Sequence, residues 1–306
     1  MRLLDTLIQK IDKIVLLFAL VVLTTSLYLV HSLNQDYRQK ETIASLDTML
    51  TFTKNMLDEE QQHALSLALL LSENQNLLRA YFSGDRQRVF DMIARKIKKL
   101  EQLQGYHFEV QVHDRKLHTY LRSWDYSIRG VPLAGFREGL VLVRKTGKPM
   151  VSIEVGKRLN IKAIAPIVVQ GQFRGSIETI TGFDHLQKRL AEQGYRLYVL
   201  LDKQYLPIAT TLQRAPKVGN AYRLVGSVED REGFAALQRA DLSRLERFGY
   251  FSNDRYLFGY FDLRNYHNER VGYLMISPER PTVLHPATLR RATPVTRLQT
   301  NGVVIR

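Results

Sequence analysis

An α+β fold is predicted for this 306-residue chain: a long N-terminal membrane-anchored helix, then two tandem modules built on antiparallel sheets. Three observations predict it. An uncharged apolar run fills residues 14–35, and a near-heptad pattern follows it to about residue 80. After Gly105 the apolar period changes from helical to alternating, in short runs separated by Gly-containing turns.

The apolar run, IVLLFALVVLTTSLYLV and the residues after it, holds 22 positions without Asp, Glu, Lys or Arg. At about 1.5 Å per residue, roughly 20 helical residues cross the hydrocarbon layer. A cleavable signal peptide has a shorter apolar stretch and a small-x-small site. Here the run is long and ends in YLVHSLNQ, so an uncleaved anchor is expected. Arg2, Lys10 and Lys13 precede the run and Arg38 and Lys40 follow it, which places the short tail in the cytoplasm and the bulk outside.

Residues 36 to about 80 repeat apolar or small residues at Ile43, Leu46, Leu50, Thr53, Leu57, Ala64, Leu67 and Leu71. That stripe is either the buried face of a helix packed on its own domain or a seam for a second copy; Glu60 falls on it. Ser83-Gly84-Asp85 breaks the pattern, and a second helix is expected from Asp85 to Leu103, with Arg95, Lys96, Lys98 and Lys99 as its solvated face. Strands are expected at 106–114, 116–124, 148–156, 160–170 and 173–182. A helix at 183–193 leads to a second set of strands at 195–202, 204–211, 250–263 and 269–277, with a helix at 230–246 among them. The ending, 281–306, is basic and stops as a further span would begin.

With no Cys, disulfides, thiolate metal sites and thiol nucleophiles are excluded. The 44 Lys and Arg against 30 Asp and Glu leave a charge of +14, which suits anionic partners. An exported position argues against nucleic acid. No phosphate-binding glycine loop, nucleophile elbow, HExxH or EF-hand pattern occurs, so no enzyme, cofactor or metal is expected. His113 and His118 lie five apart and would face opposite ways on a continuing strand.

The candidate ligand group is aromatic and cationic. Tyr120, Arg122 and Trp124 alternate along one strand and are expected to share a face; Tyr126, Arg129 and Arg137 follow in the next loop. A guanidinium grips a carboxylate bidentately, and Tyr or Trp supplies apolar walls. The competing reading makes Trp124 core and pairs Arg122 with Glu154 or Glu178. Those two carboxylates sit in different strands, where structural ion pairs are expected ahead of acid–base work.

Several stretches resemble the double Cache sensory domains of bacterial chemoreceptors and sensor kinases, within the subfamily of the double sensory domain of two-component kinases. They are ALSLALLLSENQNLLRAYFSGDRQRVFDMI, VQVHDRKLHTYLRSW and VSIEVGKRLNIKAIAPIVVQGQFRGSIETI. The resemblance covers about 36–278 and implies tandem PAS-like modules, of which the membrane-distal one holds the ligand. It implies interest in His113, Arg122, Glu154 and Glu178. The chain departs from the relatives' pattern at YSIRGVPLAGFR, and at Lys162, where relatives carry Arg. The implied division is a cytoplasmic tail (1–13), an anchor (14–35), a helical stalk (36–103), a membrane-distal module (104–188), a membrane-proximal module (189–280) and a basic tail (281–306).

The expected function is a single-pass inner-membrane sensor, its bulk periplasmic, binding a small anionic or amphoteric ligand. Tyr120, Arg122, Trp124, Tyr126, Arg137, Glu154, Lys162, Glu178 and His113 are its site residues. Expected partners are that ligand, the membrane, and either a second copy or another membrane signalling protein. The alternative is a membrane-anchored adaptor, or a remnant lacking the output domain that relatives carry.

Overall fold

The computed structural model describes residues 2–135, 137–243, 245–253 and 256–279. They fall into two compact units, divided between Thr48 and Met49. α1 (Arg2–Ser72) contributes to both. In the first unit, Leu16–Asn34 is long and apolar enough to cross a membrane, and its side chains are exposed. The basic tail at 281–306 lies outside the described residues.

In the second unit α1 uses its stripe for its own domain. Thr53, Leu57, Ala64 and Leu71 are buried, and Glu60 is buried with them. Glu60 is tolerated there because His185 (2.7 Å) and Arg189 (3.3 Å) pair with it. The helix expected to run to residue 80 stops at Ser72; Asn74 then caps α2 (Gln75–Phe82) by accepting from the Leu77 amide. Asp85 caps α3 (Arg86–Gln104) in the same way, and Gly105, at φ 62°, closes it.

The first sheet has the order β2-β1-β5-β4-β3 and is antiparallel throughout. Its strands are β1 (Glu109–Asp114), β2 (Thr119–Arg122), β3 (Met150–Val155), β4 (Leu159–Val169) and β5 (Gln172–Thr181). One face, through Val110, Val112, Leu121 and Ile177, packs on α1, α2 and α3. The Thr179 hydroxyl donates to the Ala64 carbonyl of α1 (2.7 Å). The other face is covered by α4 (Glu138–Thr146), to which the sequence reading assigned no element. Leu140 and Val143 of this helix pack on Leu117, Leu133 and Ile164. Its EGLVLV run reads equally as strand or helix, and this contact decides between them.

After α5 (Asp184–Glu192) comes the second sheet, ordered β7-β8-β6-β11-β10-β9. Its strands are β6 (Tyr195–Asp202), β7 (Lys217–Val218), β8 (Tyr222–Val225), β9 (Phe248–Asn253), β10 (Tyr256–Arg264) and β11 (Arg270–Pro278). The strand expected at 204–211 is replaced by two 3-10 turns, Lys203–Tyr205 and Thr210–Leu212. Pro207 lies between them, where a strand would need its missing N–H. The run expected as one strand at 250–263 is the β9–β10 hairpin. The helix expected at 230–246 is α6 (Arg231–Arg239), capped by Asp230. One face of this sheet, with Gly259 against Met49 and Leu50, meets α1; the other packs under α6. The expected α+β architecture with two antiparallel sheets is thus the observed one.

Candidate functional site

Residues opposite one another in antiparallel pairs share a face. On the first sheet the face under α4 collects Arg122 opposite Gln111, Gln111 opposite Glu178, and His113 opposite Ser176. Farther along lie Lys162 opposite Ser152, and Glu154 opposite Asn160. Polar groups on this face are therefore buried: His113 and Glu178 have no exposed area, and Ser176, Gln111, Ser152, Glu154 and Lys162 are nearly as enclosed. Arg137, the residue immediately before α4, reaches down into them.

The charges form one network. Arg137 Nη2 donates to Glu178 Oε1 and lies 3.6 Å from Glu154 Oε2, while Lys162 Nζ is 3.7 Å from that same Glu154 oxygen. Ser152 Oγ donates to Glu154 Oε1 (3.0 Å). Gly139 admits the Glu154 carboxylate, since a Cβ there would stand 2.8 Å from Oε1. His113 Nδ1 is hydrogen-bonded to Ser176 Oγ at 3.0 Å. Its Nε2 faces Glu178 Oε2 at 3.6 Å, and both atoms are buried without a hydrogen-bond partner. Burial lowers the pKa of Lys162, and neighbouring Arg137 lowers it further.

Burial also pushes the His113 pKa well below the usual imidazole range, and Arg137 and Arg122 act in the same direction. His113 is thus neutral in the fold, whereas the unfolded chain protonates it below about pH 6.5. Its contribution to stability is complete above that pH and is lost progressively as pH falls toward the folded pKa. Between about pH 7.5 and 5.5 the loss is on the order of 1 kcal/mol. Urea unfolding at the two pH values checks it: His113→Asn is expected to remove that share of the pH dependence, and an unchanged dependence would assign it to other groups.

The structure divides the residues singled out from the sequence. Arg137, Glu154, Lys162, Glu178 and His113 come together. Arg122 stands on the same face two strands from Glu178, its guanidinium 5.6 Å from the Trp124 ring and its Nε buried without a partner. Trp124 is 42% exposed and lies beyond the end of β2. The shared face expected for Tyr120, Arg122 and Trp124 is not formed. The β1–β2 register shifts between Val112 and His113, and the extra residue, Tyr120, turns to the helix side, its ring 4.8 Å from that of Tyr81. Tyr126 joins it there, 5.0 Å from Phe90 and under the Arg86 guanidinium. Arg129 is exposed. His118 pairs with Asp114 (3.6 Å) at the surface, and among the described residues no three His, Asp or Glu side chains could hold a metal ion.

Sequence reasoning missed Gln111, Ser152 and Ser176. Each stands two positions from a site residue in a strand whose intervening residue is apolar: Gln111-Val112-His113, Ser152-Ile153-Glu154, Ser176-Ile177-Glu178. Asn160-Ile161-Lys162 is a fourth such pair. The corresponding face of the second sheet, under α6, contrasts with this. It is filled by Tyr198, Leu200, Phe258, Tyr260, Tyr273 and Met275. A separate cleft of about 340 Å³ is lined by residues of both sheets and of α5, among them Arg158, Asn160, Asp184 and Lys188.

Residues 39–279 match the family described as the double sensory domain of two-component sensor kinase. Among solved structures, the sensor domain of the V. cholerae histidine kinase DctB is similar at 10% identity and a TM-score of 0.46, covering 79% of this chain and 99% of that one. The sensory domain of the Campylobacter jejuni chemoreceptor Tlp3, solved with isoleucine bound, is similar at 12% identity and a TM-score of 0.46, covering 78% and 92%. No curated protein matches the chain.

Proposed function

Because the chain belongs to the double sensory domain family of two-component sensor kinases, we propose that it is a single-pass membrane sensor, its bulk in the periplasm, whose first module binds a small ligand. The ligand carries a carboxylate, with or without an amino group. Residues 104–188 form the binding module in this reading, 189–280 the membrane-proximal one, and 14–35 the anchor. Arg137 and Lys162 hold the carboxylate, Glu154 and Glu178 receive an ammonium group, and His113 supplies a neutral donor or acceptor. Arg122 and Trp124 stand at the rim. The signal leaves through the anchor helix to a second copy or to another membrane protein. The role is recognition, not catalysis.

One observation carries this reading: the two modules fill the same sheet face differently. The second packs aromatic side chains under its helix, which is what a face needed only for stability requires. The first buries two cations, two carboxylates and a neutral imidazole there, leaving Arg137 Nε, His113 Nε2 and Glu178 Oε2 without hydrogen-bond partners. Such a cluster costs desolvation that an apolar core avoids. Ligand exchange is its natural use, because an incoming carboxylate can replace Glu178 on Arg137.

A thermal-shift screen of the full chain in detergent micelles, against amino acids, small carboxylates and amines, tests this. A ligand at about 100 times its Kd adds about 2.7 kcal/mol to the folded state, and Lys162→Met is expected to abolish the shift. A shift that survives Lys162→Met and disappears in Lys188→Ala would move binding to the cleft and overturn the cluster as the site.

A further inference from the structure

The residue after Arg137 faces the other way. Glu138, the first residue of α4, accepts hydrogen bonds from Tyr266 Oη and His267 Nε2 in the turn between β10 and β11 of the second module. These bonds hold the Glu138 carboxyl below its ordinary pKa. Arg137 and Glu138 are consecutive, so one peptide unit joins the buried charge network of the first module to a surface turn of the second.

A parallel link starts from Glu154. Its strand, β3, turns into β4 through Lys157, whose carbonyl accepts from both the amide (3.2 Å) and the hydroxyl (2.5 Å) of Thr211 in the second module. The two elements that bring Arg137 and Glu154 to the network are thus both fastened to the second module. α4 is short, and its first turn lacks a side-chain cap from Arg137. Backbone adjustment that accompanies a swing of Arg137 from Glu178 toward another anion falls at this uncapped start, where Glu138 holds its contacts.

We infer that the Arg137–Glu138 step couples the charge network of the first module to the β10–β11 turn of the second: when Arg137 leaves Glu178, Glu138 releases Tyr266 and His267. As a route for a ligand signal this rests on the function proposed above; as a coupling within the fold it does not. The second module, whose sheet face is packed with aromatics, then receives the first module's state through its turn.

The coupling is testable without a ligand, by hydrogen exchange on the full chain in detergent micelles. Glu178→Gln removes the charge that holds Arg137. Exchange of amides 265–269 is expected to rise by about fivefold, the lower end of ordinary coupling between sites, with β9 (Phe248–Asn253) unchanged. Faster exchange in α4 with 265–269 unmoved would overturn the inference. Should Glu178→Gln fail to fold, the reciprocal change at the surface serves: Tyr266→Phe with His267→Ala is expected to raise exchange at the start of α4 by a similar factor, and no change there overturns it. A flat ligand screen alongside positive exchange data would remove the ligand reading and leave the coupling standing; the reverse pattern would do the opposite.

Discussion

Arg137→Ala is expected to lower the unfolding free energy by about 3–5 kcal/mol, the cost of leaving one member of a buried ion pair without its partner. Glu178 has no exposed area and takes its charge-assisted bond from Arg137. Its other oxygen makes no hydrogen bond and faces only the neutral His113 ring at 3.6 Å, so the variant keeps no charged partner on Glu178. Lys162 pairs with Glu154, 3.7 Å away, and makes no hydrogen bond to Glu178 that would replace the one lost. The loss therefore arises from the stranded carboxylate more than from the missing guanidinium, and this has a measurable consequence. Arg137→Met combined with Glu178→Gln, which removes both charges, is expected to recover most of the stability. Denaturant unfolding of Arg137→Met, Glu178→Gln and their combination decides it. If the double variant is as unstable as the sum of the single ones, the cost is one of packing, and the network is not an electrostatic unit.

Phe258→Ala is expected to cost about 3–5 kcal/mol as well, by a different mechanism. Phe258 is fully buried, stacked on Phe251 with ring centroids 5.0 Å apart and set against Tyr198 and Tyr256. Truncation leaves a cavity that rigid neighbouring rings close poorly. No second substitution that only removes charge should repair it, and the cost should be nearly independent of pH. Phe258→Leu, which keeps much of the volume, is expected to lose less than half as much. An equal loss in Ala and Leu variants would mean that ring stacking, not filled volume, supports this face. The contrast with Arg137 separates the two modules energetically: one sheet face is filled by aromatic volume, while the other adds a buried charge network to the apolar contacts of Leu140 and Val143.

Much of the architecture was legible because it is periodic. The apolar run at 14–35, the stripe from Leu46 to Leu71 and the alternation in 150–181 each follow from residue spacing alone. So did the presence of Glu154, Lys162, Glu178 and His113 in separate strands. Their convergence did not follow from spacing, because it depends on sheet order. β5 lies between β1 and β4, which sets Glu178 beside His113 on one side and within reach of the residues facing α4 on the other. The Tyr120-Arg122-Trp124 face failed for two local reasons: Tyr120 is an extra residue in β2 that turns to the helix side, which no composition signal marks, and Trp124 lies beyond the strand's end. α4 was missed because EGLVLVRKT suits two periods equally well, and with it went the place of Arg137 at a helix start.

The polar-apolar-polar triplets in β1, β3, β4 and β5 were the unread clue. In a strand, apolar residues at every second position say that one face is buried; polar residues between them are then expected in water. By itself the sequence determined two sheets, their helical partner α1 and which residues alternate. Only the tertiary structure decided that the polar residues of four strands lie on the face under α4 and are almost wholly buried there, since burial depends on what packs above a sheet and not on its own pattern. That cover turns an ordinary amphipathic sheet into an enclosed network of Arg137, Glu154, Lys162, Glu178 and His113, where desolvation makes every charge depend on its neighbour.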